Sequence, residues 1–224
     1  MHDTVLPRPS AILYDWDNTL VDTWPVIHAA MNSLFRHMEM AEWTLEDTKA
    51  RVRKSMRDSF PEMFGDRWEE ARDVFYASFE AVHLDALVAA PGAESMLSAI
   101  QKAGIPQGVV SNKQGRYLRM EADHLNWTPY FRKLIGAGDA ARDKPAPDPA
   151  ILALDGQPSG IGPAVYFVGD SSVDMEIAHA AGMTPILIHP NPDLSGEFRD
   201  CPPVRHFDGL PAFHHFLTAE QRFV

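Results

Sequence analysis

Short unbroken apolar runs alternate with amphipathic stretches along this chain, and each run ends abruptly in small or polar residues. Ala11–Tyr14 leads into Asp15, Gly108-Val109-Val110 into Ser111-Asn112, Val165–Val168 into Gly169-Asp170, and Pro185–Ile188 into His189-Pro190. Leu134-Ile135 is a shorter case that passes through Gly136-Ala137-Gly138 to Asp139. Strands buried on both faces of a parallel sheet carry continuous apolar runs of this kind. Helical patterns lie between them. Gly92 to Lys102 places Met96, Leu97 and Ile100 on one face and stops at Gly104, and Asp174 to Ala181 stops at Gly182, glycine being the usual helix terminator. Val204–Phe207 and Pro211–Leu217 read as a last short strand and a closing helix. Strands alternating with helices predict an α/β fold with a mainly parallel sheet. Ligands of such sheets bind beyond the carboxyl ends of the strands, where Asp15, Ser111 and Asp170 fall.

Residues 23–89 break the alternation. They hold no clear strand, and their apolar positions recur at helical spacing: Val26, Ile27, Ala30, Met31, Leu34 and Phe35, then Ala71, Val74, Phe75 and Phe79. The segment is too long for a plain crossover. It predicts an inserted helical cap, with residues 1–22 and 90–224 forming the sheet-bearing core and hinges near Asp22–Trp24 and Ala90–Gly92.

Composition narrows the function classes. The 224 residues are 45% hydrophobic, enough for one large domain or a domain with an insertion. A formal net charge of -11 argues against nonspecific binding to nucleic acid or to anionic membranes. The single cysteine, Cys201, precludes an intrachain disulfide and favours a cytoplasmic setting. Met1 to Ser10 lacks the apolar segment of a signal peptide, and no apolar run is long enough for a transmembrane helix.

The chemistry concentrates at the strand ends. Asp15 and Asp17 are two acids one residue apart at the end of the first apolar run. Such a pair repels itself unless a cation sits nearby, and a hard divalent cation such as Mg2+ prefers oxygen ligands. The alternative is a simple Asp17-Asn18-Thr19 turn. Ser111-Asn112, Lys144 and Asp170 with Asp174 complete the set. Singly these are a turn serine, a loop lysine and an acid in a first helical turn. In order, DWDNTL (15–20), SN (111–112), DKPAPDP (143–149) and GDSSVD (169–174) resemble the motifs of the haloacid dehalogenase-like hydrolase superfamily, over nearly the whole chain. An insertion between the first two motifs resembles the C1-cap subfamily, which includes phosphoglycolate phosphatases and β-phosphoglucomutases.

The resemblance implies a Rossmann-like core with helices on both faces and a Mg2+-dependent enzyme acting on a small phosphorylated metabolite. It assigns Asp15 as the nucleophile that forms an aspartyl-phosphate, and Asp17 as the acid and then base. Lys144 becomes a point-charge clamp, and Ser111 and Asn112 hold phosphoryl oxygens, with Thr19 as a positioning residue. The metal ligands it implies are Asp15, the Asp17 backbone carbonyl and Asp170, with Asp174 a direct ligand or an orienter. Two departures stand out. Asn18 occupies a position that is more often Gly in the family, and Asn tolerates the left-handed conformation better than most residues. Trp16 lies between the two acids, and at a strand end its side chain points away from both, into the core. An acid at position 17 favours cleavage of an oxygen–phosphorus bond. The expected activity is a phosphatase with phosphoglycolate-like substrates. The alternatives are a β-phosphoglucomutase-type mutase and a non-catalytic module that binds Mg2+ and phosphate metabolites. Monomer and homodimer both remain open.

The insertion carries a local reversal of charge in Lys49, Arg51, Arg53, Lys54 and Arg57. If it is helical, Lys49, Arg53 and Arg57 share one stripe at i, i+4 spacing. Arg57, then Lys54, are the candidates for contact with substrate; the competing reading is a solvated helix face. His28, His37, His83 and His124 read as structural or exposed. The adjacent pair His214-His215 points in two directions and makes a poor metal site.

Overall fold

The computed structural model describes residues 6–52, 56–158 and 160–219, with the side chains of residues 56–58 excluded. The strands are β1 (Ala11–Tyr14), β2 (Val21–Asp22), β3 (Val88–Ala89), β4 (Gln107–Gln114), β5 (Leu134–Ala137), β6 (Val165–Gly169), β7 (Thr184–Ile188) and β8 (Arg205–Phe207). The helices are α1 (Trp24–His37), α2 (Leu45–Arg51), α3 (Met56–Phe64), α4 (Trp68–Val82), α5 (Ala93–Lys102), α6 (Gly115–His124), α7 (Asp148–Leu154), α8 (Ser172–Ala180) and α9 (Leu210–Ala219). Among the described residues, six strands form one sheet in the order β5-β4-β1-β6-β7-β8. Every pairing in it is parallel. This is the parallel α/β sheet that the alternation of runs predicts, in the Rossmann-like form that the family resemblance implies. β2 and β3 form a separate two-stranded sheet.

The apolar runs are continuous because the central strands are covered on both sides. All of β1, β6 and β7 is buried. One core cluster joins Leu13, Val110, Ile135, Ala153, Phe167 and Ile177, drawn from sheet strands and from α7 and α8. At about 25 cal/mol per Å² of apolar surface removed from water, each large side chain buried there contributes roughly 1.5–3 kcal/mol.

Two strand-end details differ from the sequence pattern. β4 runs on through Ser111 and Asn112 to Gln114, where the pattern ends the strand at Val110. Its register with β5 shifts between Val110 and Gln114, so the polar end stays extended while leaving regular pairing. α8 starts at Ser172, two residues before the predicted start. Ser171 and Asp174 form a reciprocal capping box that closes the helix's first turn.

The chain divides into two compact units, one of residues 1–21 with 89–224 and one of residues 22–88. The second unit is helical. Phe35, Phe60, Phe64, Phe75 and Phe79 are buried in it, with Phe60 edge-on to Phe64 at 5.1 Å and to Phe75 at 5.8 Å. A capping box of Thr44 and Asp47 starts α2. No helix among the described residues is long and apolar enough to cross a membrane.

Candidate active site

The turn after β1 carries the first acids. Asp15 N–H donates to the Val168 carbonyl at 2.8 Å, so the residue still follows the sheet. The chain then folds back, with the N–H groups of Thr19, Leu20 and Val21 all directed at the Trp16 carbonyl. That reversal needs one residue in the left-handed region, and Asn18 supplies it at φ 58°. The tolerance of Asn for this conformation explains how the loop keeps its shape without glycine. Trp16 is fully buried, edge-on to Trp127 at 5.9 Å and Phe131 at 6.4 Å. Its ring is a core aromatic, as the strand-end pattern predicts.

Four chain segments converge on Asp15. Lys144 Nζ donates to Asp15 Oδ1 at 2.7 Å and to Asp174 Oδ1 at 2.7 Å. The lysine is held by its backbone as well as by its head. Its N–H donates to Asn112 Oδ1 at 3.0 Å, and Asn112 Nδ2 donates to its carbonyl at 3.1 Å. Asn112 therefore ties the end of β4 to the Lys144 loop. Asp174 Oδ2 accepts from Asp170 N at 3.2 Å, Ser171 N at 3.1 Å and Ser171 Oγ at 2.7 Å. Thr19 Oγ1 donates to Asp170 Oδ1 at 3.2 Å. Ser111 is buried and accepts the Lys113 N–H on its hydroxyl at 3.2 Å.

Asp15, Asp170 and Asp174 each offer a carboxylate oxygen within 4.8 Å of the others. This all-oxygen anionic set suits a hard cation such as Mg2+. The electrostatics agree. Burial, opposed by Lys144 and aided by Asp174 and Asp17, pushes the Asp15 carboxyl up to about 7. Burial, with Asp174 and Asp15 adding to it, likewise holds Asp170 well above the usual carboxylate range. Burial also pulls on the Lys144 ammonium, but Asp15 and Asp174 outweigh it and leave the group above its ordinary value. Three clustered acids with one ammonium among them are short of positive charge.

The Asp17 carboxylate pairs with a different lysine. Its Oδ1 meets Lys113 Nζ at 2.7 Å, and the same ammonium meets Glu121 Oε2 at 2.6 Å. Trp16 Nε1 donates to Glu121 Oε2 at 2.6 Å. Lys113 and Glu121 are the residues that the sequence reading missed. A signal for Glu121 was present: an acid at the apolar face of α6, among Tyr117, Leu118 and Ala122. Lys113 stands next to Ser111-Asn112 but outside the two-residue motif. Beside Asn18 and Thr19 opens a cavity of about 470 Å³, lined also by Pro91, Ile188 and the Asp208–Ala212 stretch.

The charged residues of the insertion give a different picture from the one predicted. α2 ends at Arg51, and Val52 leaves the helical region with ψ 79°. Lys49 and Arg57 therefore lie on separate helices, and the single i, i+4 stripe does not form. Arg51 pairs with Asp47 at 3.4 Å and lies over the Trp43 ring at 5.0 Å. Lys54 lies outside the described residues, and Arg57 falls in α3 with its side chain outside the description. Among the histidines, His28 Nδ1 contacts Thr48 Oγ1 at 3.1 Å, and His37 pairs with Glu70 on the surface.

A family model for haloacid dehalogenase-like hydrolases matches residues 12–188. The chain is 30% identical over 187 residues to a phosphoglycolate phosphatase of Pseudomonas fluorescens, covering 78% of this chain and 67% of that protein. It is 31% identical over 179 residues to a phosphoglycolate phosphatase of Xanthomonas campestris, covering 78% and 80%. A solved hydrolase of the same superfamily from Ehrlichia chaffeensis superposes with a TM-score of 0.66 at 27% identity, over 96% of this chain and 98% of that one. The fold is also that of a haloacid dehalogenase-like hydrolase from Streptococcus pneumoniae, with a TM-score of 0.79 at 19% identity, over 93% and 99%. The family match spans β1 to β7 and takes in all four converging segments, so the chain belongs to the haloacid dehalogenase-like hydrolases.

Proposed function

We propose that this hydrolase releases phosphate from a small organic phosphate monoester, of which phosphoglycolate is the first candidate, through an aspartyl-phosphate on Asp15. The observation that carries the reading is the Asp15 carboxylate itself: buried at a strand end, 2.7 Å from Lys144, with a second acid two residues on. Relatives at about 30% identity bear the phosphoglycolate phosphatase name, which supports the choice of substrate class.

In the first step an Asp15 carboxylate oxygen attacks phosphorus, the ester P–O bond breaks, and Asp17 gives a proton to the departing oxygen. In the second, Asp17 takes a proton from water as that water attacks the phosphoryl group, freeing phosphate and restoring Asp15. Lys144 offsets the repulsion between carboxylate and phosphate. Ser111 and the Asn112 backbone N–H hold phosphoryl oxygens, and Thr19 steadies Asp170. Asp15, Asp170 and the Asp17 carbonyl would hold Mg2+. Both oxygens of Asp174 already accept from protein donors, so it would orient Lys144 and the Asp170–Ser171 turn. Bound there, Mg2+ supplies positive charge against the oxygens that gain negative charge in the transition state. Residues 23–89 would act as a cap that excludes water once substrate is bound.

The test is inorganic phosphate release, with Mg2+, across phosphoglycolate, sugar phosphates, nucleoside monophosphates and p-nitrophenyl phosphate. Asp15→Asn is expected to abolish release from every ester that the wild type cleaves. Retention of the phosphoryl group on an isomerised sugar would overturn the phosphatase reading in favour of a mutase. Mg2+ binding with no turnover of any ester would favour a binding module.

A further inference from the structure

We propose that Lys113, with Glu121 and Trp16 behind it, is a positioning residue that fixes the Asp17 carboxylate against the leaving group. The inference rests on the phosphatase reading above. It starts from a buried relay: Trp16 Nε1 to Glu121 Oε2 at 2.6 Å, Lys113 Nζ to the same oxygen at 2.6 Å, and Lys113 Nζ to Asp17 Oδ1 at 2.7 Å. The side chains of Glu121 and Lys113 are 0% and 6% exposed, and that of Asp17 is 28% exposed. The relay thus runs from the dry core to the edge of the site.

A buried ion pair is an expensive way to fill space. Apolar side chains of the same volume are often as stable or more so, and buried pairs are retained most credibly where they specify geometry. Here the ammonium meets Glu121, which offsets the cost of its burial, and Asp17, which reaches the site. Glu121 is itself fixed twice over. It sits on the buried face of α6, and Trp16 donates to it from between the two acids of the β1 turn. Trp16 is locked by Trp127 and Phe131. The position of the ammonium is therefore set by rigid packing, and the orientation of Asp17 follows from it. Lys113 also has a fixed backbone, since its N–H donates to Ser111 Oγ. A second lysine clamping phosphate would duplicate Lys144, which already reaches Asp15. The Lys113 ammonium is directed at Asp17 and Glu121 instead. Aligning an acid–base group is a large effect: general acid–base catalysis contributes typically ~10²–10⁴-fold.

Leaving-group dependence tests the assignment. An alkyl phosphate needs a proton on its departing oxygen, whereas 2,4-dinitrophenyl phosphate expels a stable phenolate without one. Lys113→Met removes the ammonium, and Lys113→Met/Glu121→Gln removes it together with the buried negative charge that it offsets, so that one variant folds. Pre-steady-state turnover of both esters is measured beside wild type, with thermal melts as the check on folding. The expected result is a fall in kcat for the alkyl ester of about 10²-fold, with KM within about threefold. For the dinitrophenyl ester the initial burst of phenolate persists within about tenfold, followed by slow turnover, because the hydrolytic step still needs Asp17 as base. Lys113→Arg is expected to recover part of the lost rate. Parallel loss of alkyl turnover and of the aryl burst would overturn the proposal, as would full alkyl turnover in the folded double variant. Wild-type cleavage of neither ester would overturn the phosphatase reading and this proposal with it, whereas normal wild-type cleavage confines any failure to Lys113.

Discussion

Asp15 concentrates the electrostatic logic of the site. Its carboxyl titrates at about 7 in the folded protein against a reference value of 3.8, because burial, aided by Asp174 and Asp17, outweighs the pull of Lys144. A folded value above the unfolded one means that this group's contribution to stability is complete below pH 3.8 and is lost as the pH rises through 7. A divalent cation works in the opposite direction. It binds ionised carboxylates, so each proton it must displace raises its affinity by about tenfold per pH unit up to the folded pKa. The stabilisation by Mg2+ is therefore expected to be slight near pH ~5.5 and to grow as the pH rises through about 7. Thermal melts in Mg2+ and in EDTA across that range check it, and a shift in Tm that does not change with pH would show that Asp15 is not titrating against the metal. Asp15→Asn removes one of the two raised carboxyls and should make the dependence shallower, the remainder coming from Asp170.

The elements show which parts of this arrangement the sequence makes legible. The strands of the sheet announce themselves because burial on both faces demands unbroken apolar runs, and Asp15, Ser111 and Asp170 follow directly from where those runs stop. Asn18 is legible through the family resemblance, which more often has Gly there, and its φ of 58° is the conformation that Gly or Asn tolerates. Lys113 and Glu121 were hidden, because their roles arise only when the end of β4 and the face of α6 pack against the β1 turn. The separation of α2 from α3 was hidden too, since the charge spacing reads as one continuous helix. The junction of β6 with α8 is a place where the local rules can be tested. A Cβ on Gly169 would overlap the Cβ and carboxylate of Asp174. Asp174 caps α8 and holds Lys144, so it cannot move aside without releasing both. Gly169→Ala is expected to cost about 1–3 kcal/mol of stability. It should also lower kcat by at least about tenfold, because the Lys144 clamp that offsets carboxylate–phosphate repulsion shifts with Asp174. Urea denaturation and steady-state kinetics measure the two effects, and an alanine variant with wild-type kcat would show that the position of Asp174 does not matter to turnover.

At the scale of the whole molecule, the chain's two compact units raise the question of whether the sheet-bearing one folds by itself. Its buried cluster of strand and helix residues lies entirely within residues 1–21 and 89–224. So do Asp15, Asp17, Lys113, Lys144, Asp170 and Asp174, and so does the cavity beside Thr19. The two points at which residues 22–88 leave this unit are adjacent, since Ala90 N–H donates to the Leu20 carbonyl at 2.9 Å. A short Gly-Ser linker can therefore span the gap with little loop-closure cost, because that cost grows only slowly with loop length. A domain with its own hydrophobic core is able in principle to fold alone. The chain in which such a linker replaces residues 22–88 is expected to melt in one cooperative transition, and to keep the pH-dependent gain in Tm on adding Mg2+, because every candidate ligand is retained. Circular dichroism and calorimetry check the first expectation, and melts with and without Mg2+ check the second. A broad, non-cooperative transition would show that the sheet depends on the helical unit for its stability. A sharp transition without the Mg2+ response would show instead that the acids hold their metal geometry only in the full chain.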